Sequence, residues 1–510
     1  MKLIDWLKRF LLSRFFLLLV ILSLQLFLLI SGVRFLVEYP VTEAVIVVVN
    51  FLLTIYVINR DENTSYKLAW ILLIYAIPVF GSVIYLLFAE KRVPATLRAE
   101  MIRYLSETDD VLFQKKKVRE ALTDPDLSQQ FDYVYENSFF PYYQNTDCKY
   151  FDDGQAYFND LIERIKEAKH FVFLEFFIVK DGSMLDTLVA VLRKKVAEGV
   201  EVYFMYDDGG SITSLSRDYK KILTNYGIRC VAFNPVTISL TLLSKTSNRD
   251  HRKICVIDNV VAYVGGLNIG DEYINREVRF GHWKDSAVRL NGEAVRSLTV
   301  MFIQFYNANS DKPLKYEDYL LPHPYPKKTS FVLPFSDSPT DEENVCRTVH
   351  FNLITKARKY IYICTPYLIL DHDMTSALKI AAKCGVEVII TVPHIPDKKS
   401  VFMVTRSNYL PLLKAGVKIY EYTPGFVHSK AIVSDDKIGL VGTINMDFRS
   451  YYLHYECGVL IAEDPCIMEM KEDYLRMIAQ SEEITLEEAM KTNVLLRILR
   501  SILNVFAPLL

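Results

Sequence analysis

Two segments of this chain carry the same reactive residue types at the same offsets. In NRDHRKICVIDNVVAYVGGLNIGDEY these are His251, Lys253, Asp258, Gly265 and Asn268; in GFVHSKAIVSDDKIGLVGTINMDFRS they are His428, Lys430, Asp435, Gly442 and Asn445. Each set is half of a phosphate site. Two lysines and two asparagines can neutralise phosphodiester oxygens, usually the largest electrostatic contribution to catalysis. Two imidazoles on opposite sides permit in-line displacement, one attacking phosphorus and the other protonating the leaving oxygen. That division needs one histidine neutral and one protonated, which nearby carboxylates can arrange. A lone His-x-Lys would carry little weight, because most single histidines are structural. Five matched positions repeated at identical offsets make a structural coincidence improbable.

The spacing also has a local reading. His-x-Lys in a strand puts both side chains on one face. Ile254, Val256, Ala431 and Val433 suit a buried continuation of that strand, with Asp258 and Asp435 at its end, where a turn begins. Gly265–Gly266 and Gly442–Thr443 are expected to let backbone approach a ligand closely, with Asn268 and Asn445 as amide donors beside them.

The elements that must position these residues form a repeat. From about residue 150, amphipathic helices alternate with β-rich runs: LIERIKEAK precedes FVFLEFFIV, LVAVLRKKVAEG precedes VEVYFMYD, and YKKILTNYG precedes IRCVAF. The order recurs as LITKARK before YIYICTPYLI, LKIAAKCG before VEVIITVP, and YLPLLKAG before VKIYEY. Lys169 aligns with Lys359, Gly199 with Gly385 and Gly227 with Gly416. This predicts two homologous α/β halves, 151–305 and 346–485, each ending in its own His–Lys motif. Residues 306–345, rich in Pro, Asp, Lys and Ser, read as a linker, and 93–150 as a connecting segment.

Both ends look lipid-facing. Apolar stretches run from Leu11 to Val37, Val41 to Ile58 and Leu68 to Ala89, each near the ~20 residues that cross a bilayer core. Residues 1–92 are therefore expected to form a membrane anchor of two to three transmembrane helices, with no cleaved signal peptide. Lys2, Lys8, Arg9 and Arg14 pull the N-terminus inward, but Lys91, Arg92, Arg98, Arg103 and Lys115–Lys117 pull the following domain inward too. A first segment that does not cross reconciles them and puts the large domain on the cytoplasmic side. Near the C-terminus, Arg497, Arg500, Ser501 and Asn504 share one face of an otherwise apolar helix spanning 490–510. It either lies in the headgroup plane or packs on the domain's own core.

Composition narrows the function classes. The 510 residues carry 59 basic and 61 acidic side chains, a net charge of −2 that gives no general attraction to nucleic acid. The eight cysteines show no C-x-x-C pair or zinc spacing, so free and mostly buried thiols are expected. The turn Asp207–Asp208–Gly209–Gly210–Ser211 reads as a loop at the sheet edge rather than a metal site.

At the paired motifs the chain resembles the phospholipase D superfamily, whose signature is H-x-K-x4-D followed by G-[GS]-x-N. Within it the chain is similar to the bacterial cardiolipin synthases, through GGLNIGDEY (265–273), GHWKDSAVRLNG (281–292), Pro366–Tyr367, GTINMDFRSYYLHYECG (442–458) and the anchor run AWILLIYAIPVFGSVIYLLF. Two departures are Thr443, where Ser is common, and His454, where Asn is usual. The resemblance implies two phospholipase D-type α/β halves forming one bilobal catalytic unit behind N-terminal transmembrane helices. The catalytic residues it implies are His251, Lys253, Asp258, His428, Lys430 and Asp435. It also implies a carboxylate orienting each histidine; Asp285 and Glu456 are the candidates, against the alternative that each is an ordinary strand or surface acid.

The implied reaction exchanges phosphatidyl groups between two phosphatidylglycerols in a bacterial cell membrane. It gives cardiolipin and glycerol through a phosphatidyl-histidine and needs neither cofactor nor metal. Two rivals remain: a phospholipase D or nuclease in which water attacks, and a non-catalytic membrane scaffold.

Overall fold

The computed structural model describes residues 40–89, 95–108, 110–235, 248–340 and 343–509, which fall into two compact units divided after Glu90. In the first unit, a helix over Pro40–Asn59 is followed by helices over Thr64–Ala76 and Phe80–Phe88. Among the described residues only the first of these, over Val41–Asn59, is long and apolar enough to cross a membrane. The stretch expected to run unbroken from Leu68 to Ala89 divides at Pro78, which has no N–H to donate and clashes with a continuing helix. The expected segment from Leu11 to Val37 lies outside the described residues. Outward-facing Val45, Val48, Leu52 and Ile55 make an apolar surface. Inside, Ser82 donates to Asn50 Oδ1 at 2.6 Å, the kind of polar link that joins helices in lipid.

The second unit holds two matching sheets. The first half contributes β1 (Thr146–Phe151), β2 (Phe171–Phe176), β3 (Glu201–Asp207), β4 (Arg229–Phe233), β5 (Arg249–Asp250), β6 (Ile254–Ile257), β7 (Val261–Gly265), β8 (His282–Lys284) and β9 (Ala287–Gly292). The second contributes β10 (Phe331–Asp337), β11 (Tyr360–Cys364), β12 (Glu387–Pro393), β13 (Lys418–Tyr422), β14 (Gly425–Val427), β15 (Ala431–Ser434), β16 (Ile438–Gly442), β17 (His454–Ala462) and β18 (Ser481–Glu483). One sheet has the order β1-β9-β7-β6-β2-β3-β4 and the other β10-β17-β16-β15-β11-β12-β13-β18, so they correspond position by position apart from β18. In each, three parallel strands fed by amphipathic helices meet an antiparallel group carrying the motif. The helices Ser183–Ala197 and His372–Lys383 are followed by Gly199 and Gly385, with φ of 90° and 93°, the left-handed ending that favours glycine.

One apolar core joins the halves, drawing Phe173 and Val256 from one sheet and Leu333 and Ile363 from the other. The helix Val295–Ala308 runs through it, with Phe302 stacked on Phe173 at 4.3 Å. A second cluster packs Phe158, Leu161, Leu185 and Leu188 against the outer face of the first sheet.

Two expected boundaries move. The stretch read as a linker contains β10, a strand of the second sheet, and its Tyr316 and Tyr319 are buried in the core. The segment read as connecting, 93–150, supplies β1 and helices whose Leu127, Phe131 and Val134 join the same core. β1 (TDCKYF) is short and partly charged and pairs at a sheet edge without an apolar run, whereas the apolar run of β10 (FVLPFSD) was masked by Pro334 and the polar residues on either side.

Candidate active site

Each His-x-Lys segment is received by the opposite half. Strand β5 runs parallel to the start of β17, and the His251 N–H donates to the Tyr455 carbonyl at 2.9 Å. Strand β14 runs parallel to β8, and the His428 N–H donates to the Lys284 carbonyl at 2.7 Å. The next residue in the chain after each accepting carbonyl is a carboxylate, Glu456 within β17 and Asp285 just past the end of β8. His251 Nδ1 lies 2.9 and 3.1 Å from the two oxygens of Glu456, and His428 Nδ1 lies 2.7 Å from Asp285 Oδ2. Both carboxylates are buried. The His-x-Lys residues are therefore extended connectors just ahead of β6 and β15, not strand residues as their spacing suggested.

The two carboxylates are register equivalents. Gly265 pairs with Ala287 and Gly442 with Gly458, and Asp285 and Glu456 each stand two residues before the paired position. The expected ligand-facing glycines serve this arrangement instead. A Cβ on Gly266 would lie 2.0 Å from Asp285 Oδ1, and one on Gly265 or Gly442 would strike the neighbouring strand's backbone at 2.5 Å. In the second half, Thr443 replaces the cleared space with a hydroxyl that donates to Glu456. Its Oγ also accepts the Cys457 N–H at 3.0 Å.

Of the other expected residues, Lys253 and Lys430 join the histidines. Each ammonium is buried and donates to the carbonyl of its own motif histidine. Asn268 is already engaged: its Oδ1 accepts the Ile178 N–H at 2.9 Å and its Nδ2 donates to Tyr273 at 2.9 Å. Asn445 has a buried Oδ1 with no hydrogen-bond partner, so its amide is the more open of the two.

Asp258 and Asp435 stand apart from the imidazoles. Strands β6 and β15 intervene, and at ~3.3 Å per residue each carboxylate is about 16 Å along the chain from its motif lysine. Asp258 accepts backbone N–H groups of Lys169, His170 and Phe171 at 2.7–2.8 Å. Asp435 does the same for Arg358, Lys359 and Tyr360 at 2.6–2.9 Å. Both begin tight hairpin turns, with φ of 53° at Asp258 and 56° at Asp435, a conformation aspartate tolerates better than most residues. Their expected place in the chemistry gives way to a structural one. Each pins the first central strand of its sheet to the motif hairpin.

Burial dominates the electrostatics. It pushes His251 down to about 3 and His428 to about 4, against the opposing pull of Glu456 and Asp285. Burial alone would raise both carboxylates, but His251 and His454 hold Glu456, and His428 holds Asp285, below the usual range. The imidazoles thus stand neutral, each with Nδ1–H donated to a carboxylate, leaving Nε2 and its lone pair for reaction. Desolvation also lowers Lys253 to about 7 and Lys430 to about 8; Glu456 partly restores Lys253 against the Lys430 charge, and Asp285 and Glu456 partly restore Lys430.

Several supporting residues, all but one without a signal in the sequence, complete the site. Asp207, expected in an edge loop, is buried at the end of β3; it accepts the Asp250 N–H at 3.0 Å and faces Arg249 at 3.4 Å, fixing the approach to His251. Arg252 is buried between Glu175 at 2.8 Å and Asp250 at 3.0 Å. In the same position of the other motif, Ser429 meets Ser286 at 2.5 Å. Tyr273, Trp283 and Phe426 surround His428 with ring centroids 5.2–5.9 Å away. Only Asp207 had a signal, as an acid at a strand end beside glycines. The seven buried or partly buried thiols and the exposed Cys384 are all free, as the spacing suggested.

Comparison with known proteins agrees with this architecture. The family described as cardiolipin synthase, PLD-like domain matches residues 161–294 and 351–478, and a phospholipase D-nuclease N-terminal family matches 48–90. A Streptococcus mutans protein described only as uncharacterized is 38% identical over 89% of this chain and 99% of its own length. A cardiolipin synthase of Alkalihalophilus pseudofirmus is 34% identical over 89% of this chain and 91% of its own. One of Staphylococcus aureus is 33% identical over 89% and 93%. The crystal structure of a Haemophilus influenzae phosphatidylserine synthase shares the fold, with a TM-score of 0.55 at 16% identity, covering 71% of this chain and 93% of that one. Two matched halves, two crossed histidine–carboxylate pairs and relatives aligned along nearly their full length lead to one conclusion: the chain belongs to the cardiolipin synthase family of the phospholipase D superfamily.

Proposed function

We propose that this protein is a cardiolipin synthase, transferring a phosphatidyl group from one phosphatidylglycerol to the glycerol hydroxyl of another. The observation that carries the chemistry is the pair of buried imidazoles, each held through Nδ1 by a carboxylate of the opposite half. The names of the aligned relatives support the choice of lipid.

In the first step a bound phosphodiester anion lets His428 take up a proton at Nε2 from solvent; His251 Nε2 then attacks phosphorus, the P–N bond forms as the bond to the glycerol oxygen breaks, and His428 gives that oxygen its proton. In the second, His428 takes the proton of the incoming hydroxyl, the new P–O bond forms, and the P–N bond breaks. One feature supports this division. His428 has the closer carboxylate, which stabilises the imidazolium it must become. An arriving phosphodiester anion raises His428 and recharges Lys253 and Lys430. Asn445 is the amide placed to join them, whereas Gly265, Gly266, Asn268, Gly442 and Thr443 shape the site rather than bind lipid. Asp258 and Asp435 act through the fold.

Membrane attachment supports exchange over hydrolysis, because a bilayer presents the acceptor hydroxyl at high effective concentration. The helix Val494–Val505 exposes Leu495, Ile498, Leu499 and Ile502, while Arg500 is half-buried on the other side. An apolar face turned outward suits the headgroup plane better than the alternative of packing on the core. We place the catalytic unit on the cytoplasmic side of a bacterial cell membrane, behind an anchor that crosses more than once. No nucleic acid is a substrate in this reading. The test is incubation of the purified protein with phosphatidylglycerol in micelles. Cardiolipin and glycerol are expected; phosphatidate as the main product would replace the transferase with a hydrolase.

A further inference from the structure

A third imidazole lies beside the site and has no part in the two-histidine chemistry. His454 opens β17 two residues before Glu456, with its side chain 9% exposed. Its Nδ1 makes no hydrogen bond and stands 3.7 Å from Glu456 Oε1, the same oxygen that His251 Nδ1 meets at 2.9 Å. The two rings are 5.5 Å apart between centroids. One donor atom from each of His251, His454 and Glu456 lies within 4.8 Å of the others.

The other half lacks this. Trp283 stands two residues before Asp285, and its indole Nε1 donates to Asp285 Oδ2 at 3.3 Å. An indole nitrogen is a donor only, whereas an imidazole offers a lone pair. The same register position therefore closes one carboxylate and leaves the other facing a second ligand-type nitrogen.

We propose that His251, His454 and Glu456 form a binding site for a divalent transition metal of the zinc class, and that its occupancy switches the enzyme off. Two imidazoles and a carboxylate are an established zinc donor set, with water completing the tetrahedron. Metal–ligand bonds of about 2.0–2.2 Å at tetrahedral angles put donors roughly 3.4 Å apart, a value bracketed by the 2.9 and 3.7 Å separations here. Binding replaces the His251–Glu456 hydrogen bond with metal–ligand bonds to His251 Nδ1 and Glu456, and the imidazole proton moves from Nδ1 to Nε2, which removes the lone pair that attacks phosphorus. Imidazole donors select Zn²⁺, Cu²⁺, Ni²⁺ or Co²⁺ over Mg²⁺ and Ca²⁺. The nearby Lys253 ammonium opposes a dication, so the site is weaker than a structural zinc site and suits reversible control.

Inhibition rests on His251 being the nucleophile; metal binding does not. The full-length, metal-stripped protein in detergent is titrated with Co²⁺ and Zn²⁺. Wild type is expected to show one site per chain, with the intense visible absorption of tetrahedral Co²⁺ displaced by Zn²⁺. His454→Asn and His454→Gln should lose it, while His394→Asn, which alters the other His–Glu contact, should keep it. A weak octahedral spectrum in wild type, or a site unchanged in both His454 variants, overturns the proposal. Cardiolipin formation is then compared with and without Zn²⁺ within each variant: chelator-reversible inhibition of at least tenfold is expected only where the site is intact. His454-dependent binding without inhibition overturns the switch. Binding by a protein that makes no cardiolipin under any condition keeps the metal site and removes the synthase reading.

Discussion

Glu456 and His251 belong to opposite halves of the chain, yet the carboxylate lies 2.9 Å from the imidazole Nδ1 because β17 receives the segment that carries the histidine. The Asp285–His428 pair repeats this in mirror order at 2.7 Å. Each half therefore owns one histidine and orients the other's.

Removing the charge from either carboxylate should cost turnover rather than fold. Glu456→Gln and Asp285→Asn keep the volume but can present an amide donor, favouring the wrong imidazole tautomer. We expect kcat to fall on the order of 10³-fold or more in each, with Tm within a few degrees of wild type. Steady-state kinetics on phosphatidylglycerol micelles, with a thermal melt of each protein, checks this.

The covalent intermediate separates the histidines. With labelled phosphatidylglycerol, His428→Ala should accumulate label on the protein, because attack proceeds without efficient completion, and His251→Ala should not. The reverse pattern would exchange their roles.

The lysines set the alkaline limit. With Lys253 at about 7 and Lys430 at about 8, their charge is present below pH 7 and lost as pH rises through 8. Accordingly kcat/KM should decline above pH 8, chiefly through a rising KM. The imidazoles work the other way for stability. Their folded values of about 3 and about 4 lie below the ordinary histidine value near 6.5. The unfolded chain takes up protons that the folded chain refuses, so stability falls as pH drops from about 6.5 toward 4. Replacing His251 with Asn should flatten that part of a Tm-against-pH curve.

Asp258 tests whether the motif aspartates act through structure. Asp258→Ala removes the acceptor for three backbone N–H groups and should destabilise the fold by about 3 kcal/mol. Chemical denaturation would show it, while kcat per folded molecule stays close to wild type.

Topology can be read with a native probe. Cys384 is the exposed thiol among the described cysteines. On the cytoplasmic side it should resist a membrane-impermeant maleimide in intact cells and react in inverted vesicles. Labelling in intact cells would place the catalytic unit outside.

Much of this was legible in the sequence, and what was not has a physical reason. The alternation of helix and strand was readable because burial imposes a period, and the offsets within the two motifs survived because one hairpin contains each. Asp285 and Glu456 were findable as candidates, but their crossed partners were not. The pairing depends on β5 and β14 joining strands far away in sequence, and local periodicity holds no trace of that. Their differing distances from the motif histidines hid the shared register until the strands were paired. The role of Gly266 was hidden likewise, since the group it makes room for lies on another strand. Pro78 was visible all along and should have divided the third apolar stretch.

The crossed strands also govern the order in which the enzyme comes into being. His251 waits for a carboxylate 205 residues further along, while His428 emerges after its own, 143 residues earlier, has left the ribosome. The apolar N-terminal segments are synthesised first, so a nascent chain can reach the lipid while it is still chemically inert. Neither half alone, whether a truncated product or a proteolytic fragment, carries a complete proton relay. Duplication gave the protein two copies of a motif; exchanging their supports made the copies unable to part.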